Sequence, residues 1–119
     1  MWIDINLTTQ KLSAYNVGGL VLSTPISSGK RGFATIQGKF QVTRKVLSQR
    51  LAGRLHGEIW DIPNVPFIMY FSGSFAIHGA YWHNDFGHPV SHGCVNVPVN
   101  YGALLYSWTP IGTTVVIHK

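Results

Sequence analysis

Cysteine is nearly missing from this chain: its 119 residues hold one, Cys94. No internal disulfide can form, so the fold rests on its core, and the thiol is left as a small buried hydrophobe, a metal ligand or a nucleophile. Acidic residues are scarce too, four against nine Lys and Arg, for a formal charge of +5. No apolar run reaches the roughly 18 residues that a transmembrane helix needs, and no leader pattern is legible, because Met1 runs straight into the alternating stretch Trp2-Ile3-Asp4-Ile5-Asn6-Leu7. Paired CxxC and HExxH elements are missing as well. His78, His83, His88, His92 and Cys94 are irregularly spaced, so no metal site is expected. Seven of the nine basic residues fall between Lys30 and Arg54. No nucleic-acid motif accompanies them, so nucleic acid is not an expected partner. The stripe reads as a solvated face, with attraction to an acidic polymer as the alternative.

What is present is a succession of short alternating segments over one domain, residues 1–119. Residues 2–7 read as a half-buried strand, and 11–15 and 20–26 as a hairpin joined at Asn16-Val17-Gly18-Gly19. A Gly/Ser/Lys loop runs from Ser27 to about Gly38. Residues 39–46 alternate again; 47–66 read as irregular, broken by Gly53, Gly57, Pro63 and Pro66; strands are expected at 67–71 and 74–78. Tyr101, Leu104, Leu105 and Trp108 recur at helical spacing after Pro98, and Thr113 to His118 reads as a closing strand. The pattern predicts a mainly β, sandwich- or barrel-like fold with one short late helix.

The chemistry concentrates at Ser91-His92-Gly93-Cys94-Val95-Asn96. A lone Cys with His elsewhere in the chain is a signature of thiol acyl transfer or hydrolysis. His78 is the preferred base, ahead of His92. It ends the run Ser74-Phe75-Ala76-Ile77-His78, whose parity puts small Ser74 and Ala76 on its own face. A carbonyl at or near Gly79 would fix the imidazole tautomer, and Asp85 is a candidate third member. The Gly93 and Cys94 amides are the natural oxyanion donors. Asn96 either caps the helix or holds the loop. Tyr70 and Trp82 are candidate substrate contacts, with core packing the alternative for both. His83 and His88 read as loop residues, solvated or locally hydrogen-bonded, with a substrate-facing role as the alternative.

The ordered pair Ile77-His78-Gly79 and Ser91-His92-Gly93-Cys94-Val95-Asn96 resembles the catalytic motif of the YkuD-type L,D-transpeptidases, and the likeness covers most of the chain. Two positions depart from it. Asn96 stands where many members have Arg, and Thr35-Ile36-Gln37-Gly38 stands where many read Thr-Pro-x-Gly. The resemblance implies a β-sandwich-like catalytic domain with Cys94 as nucleophile, His78 as base and acid, and His92, Ser91 and Gly93 supporting. It implies donor and acceptor peptidoglycan stem peptides as partners, a 3→3 cross-link as product, carbapenem-class β-lactams as covalent inhibitors, no cofactor, and work outside the cytoplasmic membrane. A hydrolytic L,D-carboxypeptidase or endopeptidase with the same thioester, or a non-catalytic wall-binding module, are the alternatives.

Overall fold

A computed structural model describes all of residues 1–119. The chain order is β1 (Trp2–Asn6), β2 (Lys11–Asn16), β3 (Gly19–Pro25), β4 (Gly38–Gln41), β5 (Arg44–Leu55), β6 (Glu58–Ser72), β7 (Phe75–Ala80), β8 (Val95–Pro98), α1 (Val99–Trp108) and β9 (Thr114–His118). Two sheets form a sandwich, in the orders β3-β2-β1-β9-β4 and β5-β6-β7-β8. The β1–β9 and β7–β8 pairs are parallel; the other pairs are antiparallel.

Period-two alternation builds the core between the sheets. Ile3, Ile5, Leu12, Ala14, Val115 and Ile117 from the first sheet meet Met69, Phe71, Ile77, Val95 and Val97 from the second, with Leu105 of α1. Fully burying an Ile or Leu side chain contributes about 1.5–3 kcal/mol each. A smaller cluster of Val65, Ile68, Tyr70 and Ala76 lies on the other face of β6 and β7, with Trp82 and Cys94 packed on it. The parity expected for residues 74–78 therefore holds: Ile77 faces the main core, and Ala76 faces the site.

Two expectations are corrected. Residues 39–46 are not one strand. The chain crosses between sheets at Val42–Thr43: the Val42 N–H donates to Thr113 O at 2.9 Å, and the next amide, Thr43 N–H, donates to Tyr70 O at 2.8 Å. Residues 47–66 are not irregular. They form most of a long β5–β6 hairpin, closed at His56-Gly57 with φ of 52° and 79°. Two left-handed residues in a two-residue loop match the twist of the flanking strands. The hairpin absorbs its breakers. Pro66 lies N-terminal to the β6–β7 ladder, which starts at Met69, so its missing N–H removes no bond to that neighbour. Asn64 takes φ 53° where the β5–β6 register shifts. No helix is long and apolar enough to cross a membrane.

Candidate active site

Parallel pairing of β7 with β8 assembles the site, with Ile77 opposite Val95 and His78 opposite Asn96. This register sets the end of β7 beside the chain just past Cys94. The helix backs the arrangement. Gly79 has no side chain, and neither does Gly102 of α1; a Cβ on Gly102 would meet Gly79 Cα at 3.2 Å. A cavity of about 780 Å³ is lined by His78, Trp82, Cys94 and Asn96 from the body of the domain and by the β5–β6 hairpin opposite.

His78 is buried, and its Nδ1 donates to the Gly79 carbonyl at 2.9 Å. A carbonyl only accepts, so the ring proton sits on Nδ1 and Nε2 is a free base. Burial pulls the His78 pKa down to about 4, opposed by the Gly79 bond and assisted by His83. Burial also pushes the Cys94 thiol up to about 11, opposed by the Ala76 backbone amide. At neutral pH the resting pair is thus thiol and neutral imidazole, not thiolate and imidazolium. The Cys94 Sγ contacts the Ser74 carbonyl at 3.5 Å.

Hydrogen bonds tie the cysteine loop at both ends. Ser91 Oγ donates to the Cys94 carbonyl and accepts from the Gly93 N–H at 3.1 Å. The expected oxyanion role of the Gly93 amide is corrected accordingly: Ser91 already engages it, and Cys94 N–H is the amide left to serve. Gly93 has φ 127°, a conformation side-chain-bearing residues rarely adopt. Thr35, buried, accepts from the Gly29 N–H at 2.9 Å and donates to the Gly93 carbonyl at 2.7 Å. The sequence pointed to Thr35 only as the start of Thr35-Ile36-Gln37-Gly38; its hydroxyl is what pins the loop.

His92 is not placed as a base. Trp60 stacks on it with ring centroids 4.0 Å apart and planes 7° from parallel. Phe33 meets its ring edge-on at 5.0 Å. Its Nε2 lies 3.3 Å from Glu58 Oε1, which also pairs with Lys30 Nζ at 2.8 Å. Lys30 and His92 together hold the Glu58 carboxyl below its ordinary pKa. Trp60 reaches His92 because Gly53, opposite it on β5, is bare: a Cβ there would stand 2.3 Å from the indole Cζ2. Read as an irregular segment, residues 47–66 give no sign that Trp60 and Glu58 reach the site or that Gly53 makes room for the indole.

Asn96 does not cap the helix. Pro98 occupies the N-cap, with no side-chain cap bond. The Asn96 amide instead meets His83 Nε2 at 3.1 Å. The Asp85 N–H donates to His83 Nδ1 at 3.0 Å, and Asn96 Nδ2 is the amide atom that faces Nε2. The other end of the buried Asn96 amide has no protein partner. His83 lines the cavity, as its alternative substrate-facing reading has it. Asp85 does not orient His78: its backbone contacts are to His83, Ser27 and His88. Tyr70 lines the cavity; its hydroxyl donates to Gln49 Oε1 at 2.6 Å, and Arg44 lies 4.5 Å over its ring. Trp82 lies 5.7 Å from the His78 ring.

Three of the seven basic residues of the stripe have polar partners. Arg50 pairs Asp61 through two bonds, Lys30 pairs Glu58, and Lys45 donates to the Tyr106 carbonyl. Asp61 reaches Arg50 across the hairpin, and Glu58 reaches Lys30 in the loop before β4.

A search of curated proteins returns no match. Among solved structures, the catalytic domain of the Enterococcus faecium L,D-transpeptidase is 29% identical, with TM-score 0.87 over 98% of this chain and 95% of that one. A longer form of the E. faecium enzyme, crystallised as a Cys-to-Ser variant, is 28% identical with TM-score 0.90 over 98% of this chain and 49% of that one. An L,D-transpeptidase from Mycobacterium smegmatis shares the fold at 19% identity and TM-score 0.87, over 99% of this chain and 58% of that one. The chain therefore spans about half to three-fifths of the longer structures it matches. The family model described as the YkuD L,D-transpeptidase catalytic domain matches residues 1–117, and the chain belongs to that family.

Proposed function

We propose that this chain is a cysteine-dependent L,D-transpeptidase that forms 3→3 cross-links between peptidoglycan stem peptides outside the cytoplasmic membrane. The observation that carries the reading is the neutral His78, with Nδ1 donating to Gly79 and Nε2 free in the cavity that Cys94 shares. As Cys94 Sγ attacks the carbonyl between the third and fourth stem residues, His78 takes the thiol proton. The Cys94 N–H faces the developing oxyanion. The tetrahedral adduct collapses, the C–N bond breaks, His78 returns the proton to the leaving D-alanine amine, and a thioester remains. The side-chain amine of a second stem attacks the thioester and gives up a proton to His78; the C–S bond breaks and the thiol is restored. The free end of the Asn96 amide offers the substrate a polar contact.

Acylation of Cys94 by β-lactam-type inhibitors belongs to the same reading. It is supported by the 29% identical L,D-transpeptidase whose structure is that of an avibactam carbamoyl enzyme. Incubation with a tetrapeptide stem, followed by mass spectrometry, tests the function. Cross-linked dimer with release of D-alanine is expected. Free tripeptide alone would make the chain a carboxypeptidase, and no turnover would make it a wall-binding module.

A further inference from the structure

β5 is a terminal strand, laddered only with β6. Every residue from Gln49 to Leu55 nevertheless lines the catalytic cavity. Side chains alternate along a strand, so one face cannot present seven consecutive residues. Trp60 and Ile62, opposite Gly53 and Leu51, mark the inner face. Ala52 and Arg54, exposed on the outer face, reach the cavity as well. The cavity therefore runs along the open backbone edge of β5.

The turn fixes which groups point there. The two-residue loop His56-Gly57 makes Leu55 and Glu58 a hydrogen-bonded pair. Antiparallel pairs alternate, so Arg54–Ile59 and Ala52–Asp61 are non-hydrogen-bonded pairs. The N–H and C=O groups of Ala52 and Arg54 are thus directed away from β6, toward the open edge. Two residues of unpaired, strand-ready backbone form a template for an extended peptide.

We infer that the edge at Ala52–Arg54 is the docking strand for the acceptor stem peptide, whose main chain adds to the sheet as a short fifth strand. This rests on the transpeptidase reading. The chemistry selects the acceptor over the donor. The donor's main-chain carbonyl is consumed at Cys94, whereas the acceptor reacts through a side-chain amine and leaves its main-chain groups free to pair. Its diamino side chain then spans the cavity to the thioester.

A tripeptide stem, lacking the fourth residue, can accept but not donate, and is the probe. With Cys94→Ala protein and saturating tripeptide, amide exchange followed by NMR should slow at least about tenfold at Ala52 and Arg54. The ladder amides of Gly53 and Leu55 should change little. Binding shown by shifts at Trp82 and the 91–96 loop, with Ala52 and Arg54 exchanging as before, would overturn the inference. Ala52→Pro removes one edge-side N–H at a position where an edge strand tolerates proline. With wild-type Cys94 and a tetrapeptide donor, it should raise the acceptor KM by about three- to tenfold, shifting product from dimer toward hydrolysed tripeptide. An unchanged acceptor KM overturns the inference. A wild-type enzyme that makes no dimer from donor and acceptor would instead overturn the transpeptidase reading itself.

Discussion

Trp60 lies flat against His92, their ring centroids 4.0 Å apart. One residue belongs to the far end of a hairpin and the other to the loop that carries Cys94. The contact, with Glu58 and Lys30 beside it, closes the hairpin over the cavity. It also occupies one face of the His92 ring, whose Nε2 lies beside Glu58.

His78→Gln should slow acylation of Cys94 by about 10²–10⁴, the usual loss for a general base. His92→Gln should cost less, because it removes stacking and a partner for Glu58 rather than a proton acceptor. Stopped-flow acylation by a carbapenem measures both. A larger loss in His92→Gln than in His78→Gln would reverse the roles.

Gly53→Ala should displace the indole of Trp60, since the added Cβ would stand 2.3 Å from it. A side chain can swing away, so the change in stability should stay near the worth of the stack, about 0.5–1.5 kcal/mol. Acylation should slow as in Trp60→Ala. An NMR spectrum in which the Trp60 indole keeps its shift would show that the notch is not needed.

Thr35→Val should cost about 1–3 kcal/mol for each buried group left unpaired, here the Gly29 N–H and the Gly93 carbonyl. Thr35→Ser keeps the hydroxyl and should restore most of the loss. Chemical denaturation and acylation rate read the two consequences. A Val variant as stable and as fast as wild type would remove Thr35 from the site.

Stability should depend on pH through His78 and Cys94. The His78 pKa is lowered from 6.5 to about 4 on folding, so between those values the unfolded chain binds the extra proton. Stability is full above about 6.5 and declines as pH falls toward 4, by about 3 kcal/mol in all. The Cys94 pKa is raised from 9.0 to about 11, so the folded chain holds its proton longer. That contribution is full below about 9 and is lost as pH rises toward 11. Urea midpoints from pH 4 to 10 should flatten on the acid side in His78→Gln and on the alkaline side in Cys94→Ala. Parallel profiles for wild type and variants would refute both assignments. The acid limb of acylation should lie near pH 4, well below that of an exposed histidine.

The site was more legible than its surroundings because its signal is local. Ser91-His92-Gly93-Cys94 and His78-Gly79 sit in two short segments, and strand parity alone aimed His78 to the face it occupies. The Gly79 carbonyl, adjacent in sequence to His78, is the acceptor for its Nδ1. The hairpin was not legible because its residues look like breakers one at a time. Gly53 makes room for an indole from the opposite strand, Gly57 supplies a left-handed turn residue, and Pro66 lies outside the span where β7 flanks β6. The break at Val42–Thr43 was hidden for a similar reason: alternation continues through it while the hydrogen-bond partners change sheets.

The sequence by itself determined the β class, the late helix and the two short segments, His78-Gly79 and Ser91-His92-Gly93-Cys94, that meet at the cavity, because periodicity and short motifs act through neighbouring residues along the chain. Only the tertiary structure decided that His92 is held by Trp60 and Glu58, that His83 and Thr35 serve the site, and that β5 offers an open edge beside the thiol. Those facts depend on which distant strands lie next to one another. That is set by burial of the whole core, and no local pattern records it.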